Sequence, residues 1–418
     1  MFETTLRYNS PNNKHAVEGE LARFDSVMID GKMLAHSSKA IPQLIYRLRN
    51  ERSIEYYVEP ILSQFRRGDD FRYADGTLKS WHEKYVKEIG DPLKKHLRSE
   101  TNADPRRMEE DEIRDITLSS VLFQEEFIKH QVEEESGKYE EVDTEGLLPK
   151  AVIPWHHRIN EVEDLGPNRT ILETAVEESF VPVKPCIHTT KKFIRDTSNR
   201  TALAELATDY DLDECFLLVE ELGKHSTFES TYRNVIDLVY DLSEAGVEPH
   251  FFYGDYFSNM LSYFGLGGTT YGVMYGEEYS ESTERTEQSG MLNRYYVDQI
   301  KDFLKVPAAV EFMQRIDADM CECGVCQRNF EDWQDIIRHQ ESDEALMNHL
   351  QKHYVECRWR HARQVEEDSF SDAVEKLRSE FKDYIEDYSR ARQISPNKDF
   401  QYMPRWINVL EDRAELAD

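Results

Sequence analysis

A chain of 418 residues with 39% hydrophobic and 32% charged side chains can bury a full core. That excludes a wholly disordered protein and leaves room for one large α/β domain, or for a barrel with a smaller appendage. The 82 acidic residues outweigh the 51 basic ones, for a net charge of −31 spread along the whole chain. Such a surface suits a halophilic host. At about 1 M salt the Debye length is only about 3 Å, so this charge would not repel nucleic acid at long range. No run approaches the roughly 18 apolar residues of a membrane span. Met1–Thr5 has neither the basic flank nor the apolar stretch of a secretory signal, so a cytoplasmic location is expected.

In chain order, residues 24–31 read as an early strand ending on Asp30, and residues 41–65, 79–98 and 110–136 read as helices. Residues 133–145 form an acidic loop. From about 146 strand and helix alternate. Strands are expected at 151–156, 181–188, 214–220, 249–254 and 269–276, and helices at 168–176, 201–210, 231–245 and 255–264. The 231–245 helix is amphipathic, with Val235, Leu238, Val239 and Leu242 on one face and Gly246 at the cap position. Gly265-Leu266-Gly267-Gly268 lacks the Gly-Lys-Ser/Thr ending of a phosphate loop and precedes a strand, so it reads as a turn. Residues 281–290 are a polar loop and 366–393 a long charged helix. Single helices between strands imply parallel strands with crossovers. The expected architecture is a (β/α)8 TIM-like barrel over 1–310 with helical insertions around 40–140, and a zinc-binding subdomain with C-terminal helices over 311–418.

Of six cysteines, Cys186 and Cys215 sit in apolar runs and read as buried, inert thiols, and Cys357 stands apart. The other three fall in Cys321-x-Cys323-x2-Cys326, and His349 follows on a helical stretch. Clustered cysteines in a cytosolic chain point to metal, and three thiolates with one imidazole satisfy tetrahedral zinc with no open position. Zn2+ would then be structural. His339 and His353 are rivals for the fourth ligand.

This Cys-x-Cys-x2-Cys…His pattern resembles the zinc subdomain of tRNA-guanine transglycosylases, closest in spacing to the archaeal branch and including the DNA-guanine transglycosylases of phages. The resemblance implies a pentosyltransferase on a (β/α)8 barrel that exchanges guanine for a 7-deazaguanine base in nucleic acid. DNA is favoured over tRNA because no appended RNA-binding domain is apparent, and a second copy of the chain is a candidate partner. It implies two carboxylates. Val27-Met28-Ile29-Asp30-Gly31-Lys32 matches the family's Asp-Ser-Gly-Gly turn except for the Ser, so Asp30 takes the general acid/base role. The nucleophile position aligns near Thr270, which is not acidic, and Asp255 or Glu277 could supply the carboxylate from a strand end. A base-excising glycosylase and a non-catalytic nucleic-acid-binding subunit are the alternatives. His157, His188, Glu220 and Tyr271, with His156, Glu221, Tyr253 and Tyr275, are candidates to line a base pocket. The basic stretch after the cysteines supplies Lys352, Arg358 and Arg360 as candidate phosphate contacts.

Overall fold

A computed structural model of the chain describes residues 1–19, 23–66, 71–98, 102–134, 145–274, 277–279, 293–342, 345–394 and 400–417. The expectations for 135–144, for Tyr275 and Gly276, and for 281–290 lie outside these residues. The fold is mixed α/β. Its centre is a curled, all-parallel sheet of seven strands: β1 (Glu3–Tyr8), β2 (Ser26–Asp30), β3 (Glu55–Glu59), β4 (Cys186–Thr190), β5 (Glu214–Glu220), β6 (Glu248–Phe251) and β7 (Gly268–Gly272), in the order β3-β2-β1-β7-β6-β5-β4. β1 pairs with both β2 and β7, so the first strand lies in the middle of the sheet.

Residues alternate between the two faces of each strand. One set, Met28, Tyr57, Ala151, Ile153, Cys186, Phe216, Leu218 and Phe252, packs together as a small core inside the curl. The other set, including Leu6, Val27, Ile29, Val58 and Tyr271, joins the large outer core under the helices. Burial on both faces is the usual state of parallel strands and explains their apolar runs. At the N-terminal ends of the strands the interior holds charge. Glu3 accepts hydrogen bonds from Lys150 at 2.8 Å and from Ser26 at 2.8 Å. Burial opposes its ionisation, but Lys184, His250 and Lys150 prevail and hold its carboxyl down at about 2.

Residues 150–159 lie against both outer edges of the sheet. Lys150 N donates to Tyr56 O on the β3 side. On the β4 side Val152 exchanges bonds with Pro182 O and Lys184 N, and Ile159 N donates to His188 O. The strand expected at 151–156 is therefore present only as a bridge at Val152, with a second bridge beyond it at Ile159. Pro154 lacks a backbone donor, and Pro182 and Pro185 interrupt the neighbouring segment, so β4 begins at Cys186 and not at 181.

Three differences from the sequence reading concern the N-terminal third. β1 was not anticipated. The 41–65 segment is a helix only over Ala40–Arg52. Ser53 then turns left-handed (φ 54°), and Glu55-Tyr56-Tyr57-Val58-Glu59 forms β3. Aromatic and β-branched side chains favour the pleated strand there. The helix expected at 79–98 is two, Ser80–Ile89 and Asp91–Arg98, parted at Gly90 (φ 90°), and the one expected at 366–393 starts only at Phe370, after the preceding helix ends at Glu367. Glu229–Glu244 ends at Gly246 (φ 83°), and the short Tyr256–Met260 helix and its 3-10 extension end at Gly265 (φ 97°).

After the sheet, β8 (Arg294–Val297) and β9 (Asp302–Lys305) form an antiparallel hairpin. The helices Val306–Arg315, Gly324–Asn329, Trp333–Ser342, Leu346–Glu367, Phe370–Ile394 and Tyr402–Glu411 follow. No helix among the described residues is long and apolar enough to cross a membrane.

Candidate functional site

The three clustered cysteines converge as expected, but the histidine that meets them is His353, not His349. Cys321, Cys323, Cys326 and His353 form a group able to hold a metal ion, with their ligand atoms all within 4.8 Å of one another. Cys323 caps the Gly324–Asn329 helix, and its Sγ accepts from Cys326 N at 3.2 Å. His353 Nδ1 lies 3.2 Å from Cys323 Sγ and 3.4 Å from Cys326 Sγ. With Zn–S near 2.3 Å and Zn–N near 2.0 Å, the N···S edge of a tetrahedron is about 3.5 Å, so these spacings fit a tetrahedral ion. His353 Nε2 lies 2.8 Å from Tyr296 O. A proton on Nε2 donates to that carbonyl and leaves Nδ1 as the ligand, the usual support for a metal-bound imidazole. The ring also stacks on Tyr295, whose hydroxyl lies 3.3 Å from Cys326 Sγ.

The correction has a simple geometric cause. His349, His353 and Cys357 are spaced four residues apart on the Leu346–Glu367 helix, so they share a face at steps of about 6 Å. The cysteine loop meets the second step. His349 and its other rival His339 both pack edge-on to Phe330 instead. Cys357, one turn further on, places its Sγ 3.6 Å from His353 Nδ1.

The candidate phosphate contacts are mostly reassigned. Arg358 is fully buried, donating to Asn259 Oδ1 at 3.0 Å and lying over the Tyr271 ring. Arg360 donates to Cys357 Sγ (3.3 Å), Cys321 Sγ (3.5 Å) and Asp298. Its guanidinium thus lies among the sulfurs beside the metal group. Lys352 is half-buried and runs along the backbone at Gly19. Tyr271 is also displaced from its expected role. It points to the outer face of the sheet, edge-on to Tyr354, where no base could reach it.

The remaining polar candidates fall into two clusters. The first lies at the C-terminal ends of the sheet strands, where parallel α/β folds place their sites. Asp30 ends β2, and its Oδ1 accepts from Lys32 N at 2.9 Å and Met33 N at 3.3 Å. Its Oδ2 lies 3.3 Å from Lys32 Nζ. Directly opposite in register is Glu59, the last residue of β3. Adjacent strands are about 4.8 Å apart, so the two carboxylates leave the sheet side by side. Burial raises the Glu59 pKa, and Asp30 pushes the same way against the opposing pull of Arg7. Arg7, at the end of β1, is hydrogen-bonded to Glu59 and lies over the rings of Phe252 and Tyr253. Gly31 makes this arrangement possible. A Cβ there would come within 2.9 Å of both Glu59 O and the Tyr85 ring. From Tyr253 the contacts continue to Tyr279, then to His188, whose Nε2 is 3.0 Å from Glu220 Oε1. Glu220 Oε2 in turn accepts from Arg158 at 2.8 Å. His157 lies beyond, with Nε2 3.2 Å from Asp164 Oδ1. Burial, and then Arg66, push its pKa down.

The second cluster holds Asp255, which caps the Tyr256–Met260 helix through Phe257 N. Burial pushes its carboxyl up to about 6, opposed by Lys224 and reinforced by Glu277. Lys224 bonds Glu277 at 2.8 Å and pairs with Asp302. Asp255 thus belongs with a buried ion-pair group and not with Asp30. Thr270 is fully buried, opposite Thr5 in the middle of the sheet, and presents no carboxylate.

Glu59 and Arg7 were missed in the sequence. Their signal was present in period-2 alternation: Tyr57 and Glu59 share a face, as do Thr5 and Arg7, and in each strand the charged residue stands at or near the C-terminal end. The chain matches no family model and no curated protein.

Proposed function

We propose that the chain is a guanine transglycosylase-like enzyme that exchanges guanine for a 7-deazaguanine base in nucleic acid, DNA more readily than tRNA. The observation that carries this reading is the Asp30–Glu59 pair at adjacent strand ends, braced by Arg7. Two carboxylates on neighbouring strand ends suit a double displacement at an anomeric carbon, one attacking and the other moving the proton. Environment separates the two roles. Asp30 is oriented by two backbone N–H groups and Lys32, as an attacking carboxylate requires. Glu59, whose pKa is raised by burial, carries the proton. Asp30 attacks C1′, the C1′–N9 bond breaks with its electron pair going to N9, and Glu59 protonates the departing guanine. The incoming base then gives its N9 proton to Glu59 and displaces Asp30. Tyr253 and Tyr279 supply ring faces beside the pair, and His188 with Glu220 supplies polar groups for the base edge. This reverses the acid/base role that the resemblance implies for Asp30.

In this reading residues 150–159 are the eighth stave of a closed barrel, because they bond to both β3 and β4. The metal is zinc, held by Cys321, Cys323, Cys326 and His353. It fixes the hairpin and helices against the sheet and takes no part in the exchange.

Labelled guanine offered with duplex DNA and with unmodified tRNA tests the proposal. Incorporation into DNA is expected. Label entering neither polymer rejects exchange. Abasic sites without incorporation would identify a glycosylase, and Thr270 in place of an acid favours a non-catalytic subunit if the polymer binds but stays unchanged.

A further inference from the structure

Arginines gather at one place on the rim of the strand ends. Arg66, Arg106, Arg107 and Arg158, with His157 and Asn160, line a cavity of about 310 Å³. They come from three separate segments: the turn after β3, the 3-10 turn Pro105–Arg107, and the connection that follows residue 157. In a chain of net charge −31, such convergence from distant parts of the sequence requires a local reason. Asp104 and Asp164 also line the cavity and partly offset the charge. Asp104 Oδ1 and Oδ2 accept from Arg106, and Asp164 lies 4.0 Å from it. Asp104, Asp164 and, through Arg158, Glu220 thus offset part of the charge of the four guanidinium groups.

The cavity also has a defined relation to the proposed chemistry. Arg158 Nε donates to Glu220 Oε2 at 2.8 Å, and Glu220 Oε1 lies 3.0 Å from His188 Nε2. Arg66 lies on the turn that leaves Glu59. Arg107 remains 83% exposed at the side chain and lies 3.8 Å from Asp104, while Arg106, 56% exposed, has its fork held by that carboxylate. Planar guanidinium forks suit phosphate oxygens bidentately.

We infer that this arginine-lined cavity binds a backbone phosphate of the nucleic acid whose base enters the strand-end site. The inference rests on the proposed function for the identity of the polymer, and it replaces the basic stretch at 352–360 as the phosphate contact. Its test is binding, not turnover. Affinity of the full-length protein for a fluorescent duplex DNA is measured across a salt series for the parent, for Arg106→Gln/Arg107→Gln, and for Arg169→Gln, an exposed arginine elsewhere. The double variant should bind about 10-fold more weakly, and the slope of log affinity against log salt should fall by about 1 to 2. Arg169→Gln should match the parent. Inorganic phosphate should compete weakly with the parent and not with the double variant. Unchanged affinity and slope in the double variant overturn the inference, as does phosphate binding by a site that leaves DNA affinity untouched. Arginine-dependent binding without base exchange would reject the enzyme reading and leave this site standing. Exchange with arginine-independent binding would do the reverse.

Discussion

At the scale of single residues, the metal group and the carboxylate pair make separable predictions. Cys326→Ser and His353→Ala should each lower bound zinc, measured by elemental analysis, from about one ion per chain to near zero, and reduce thermal stability. His349→Ala should keep the ion, because its ring packs on Phe330 and does not face the thiols. An equal loss in His349→Ala would contradict the assignment. Asp255 gives a pH prediction. Its carboxyl is raised from an ordinary 3.8 to about 6 in the folded state, so the unfolded chain ionises first. Stability should therefore fall as pH rises from about 4 to about 6 and then level off. Asp255→Asn should flatten that decline in melting curves, while Lys224 keeps Glu277 and Asp302 as partners.

At the scale of elements, Gly31 couples the strand end to the site. Gly31→Ala would force a Cβ into the carbonyl of Glu59 and the ring of Tyr85. The expected cost is about 1 to 3 kcal/mol by denaturant melts, with the Asp30–Glu59 pair displaced. Undiminished stability would show that the strand ends are looser than described. This scale also shows what the sequence discloses and what it hides. Apolar runs such as Cys215–Val219 and the amphipathic 229–244 helix were legible because burial imposes their period directly. β1 was hidden because six residues of mixed polarity give too short a period. β3 was hidden because Ile54–Val58 continues the apolar pattern of the helix before it. The cysteine loop was legible by spacing, whereas its histidine was not. His349 and His353 share a helix face, and only tertiary contact decides which turn meets the loop. Glu59 was hidden for a related reason: its partnership with Asp30 depends on register between strands.

For the whole molecule, the parallel strands and the convergence of the three cysteines follow the sequence reading, but the sheet has seven strands where an eight-stranded barrel was expected, and His353 stands where His349 was expected. The acidic surface makes its own prediction. Self-repulsion at net charge −31 destabilises the compact state, and salt screens it. The melting temperature should rise steadily from about 0.1 M to about 2 M KCl. A flat or falling profile would argue against a halophilic origin for the charge.

The central claim, that Asp30 and Glu59 run base exchange together, is tested most directly by guanine incorporation into duplex DNA by the parent, Asp30→Asn and Glu59→Gln. Asn retains the helix cap, so Asp30→Asn separates chemistry from folding. Both variants should lose at least about 100-fold in exchange rate while keeping DNA affinity within about twofold. Parent-like incorporation by either variant would contradict the account.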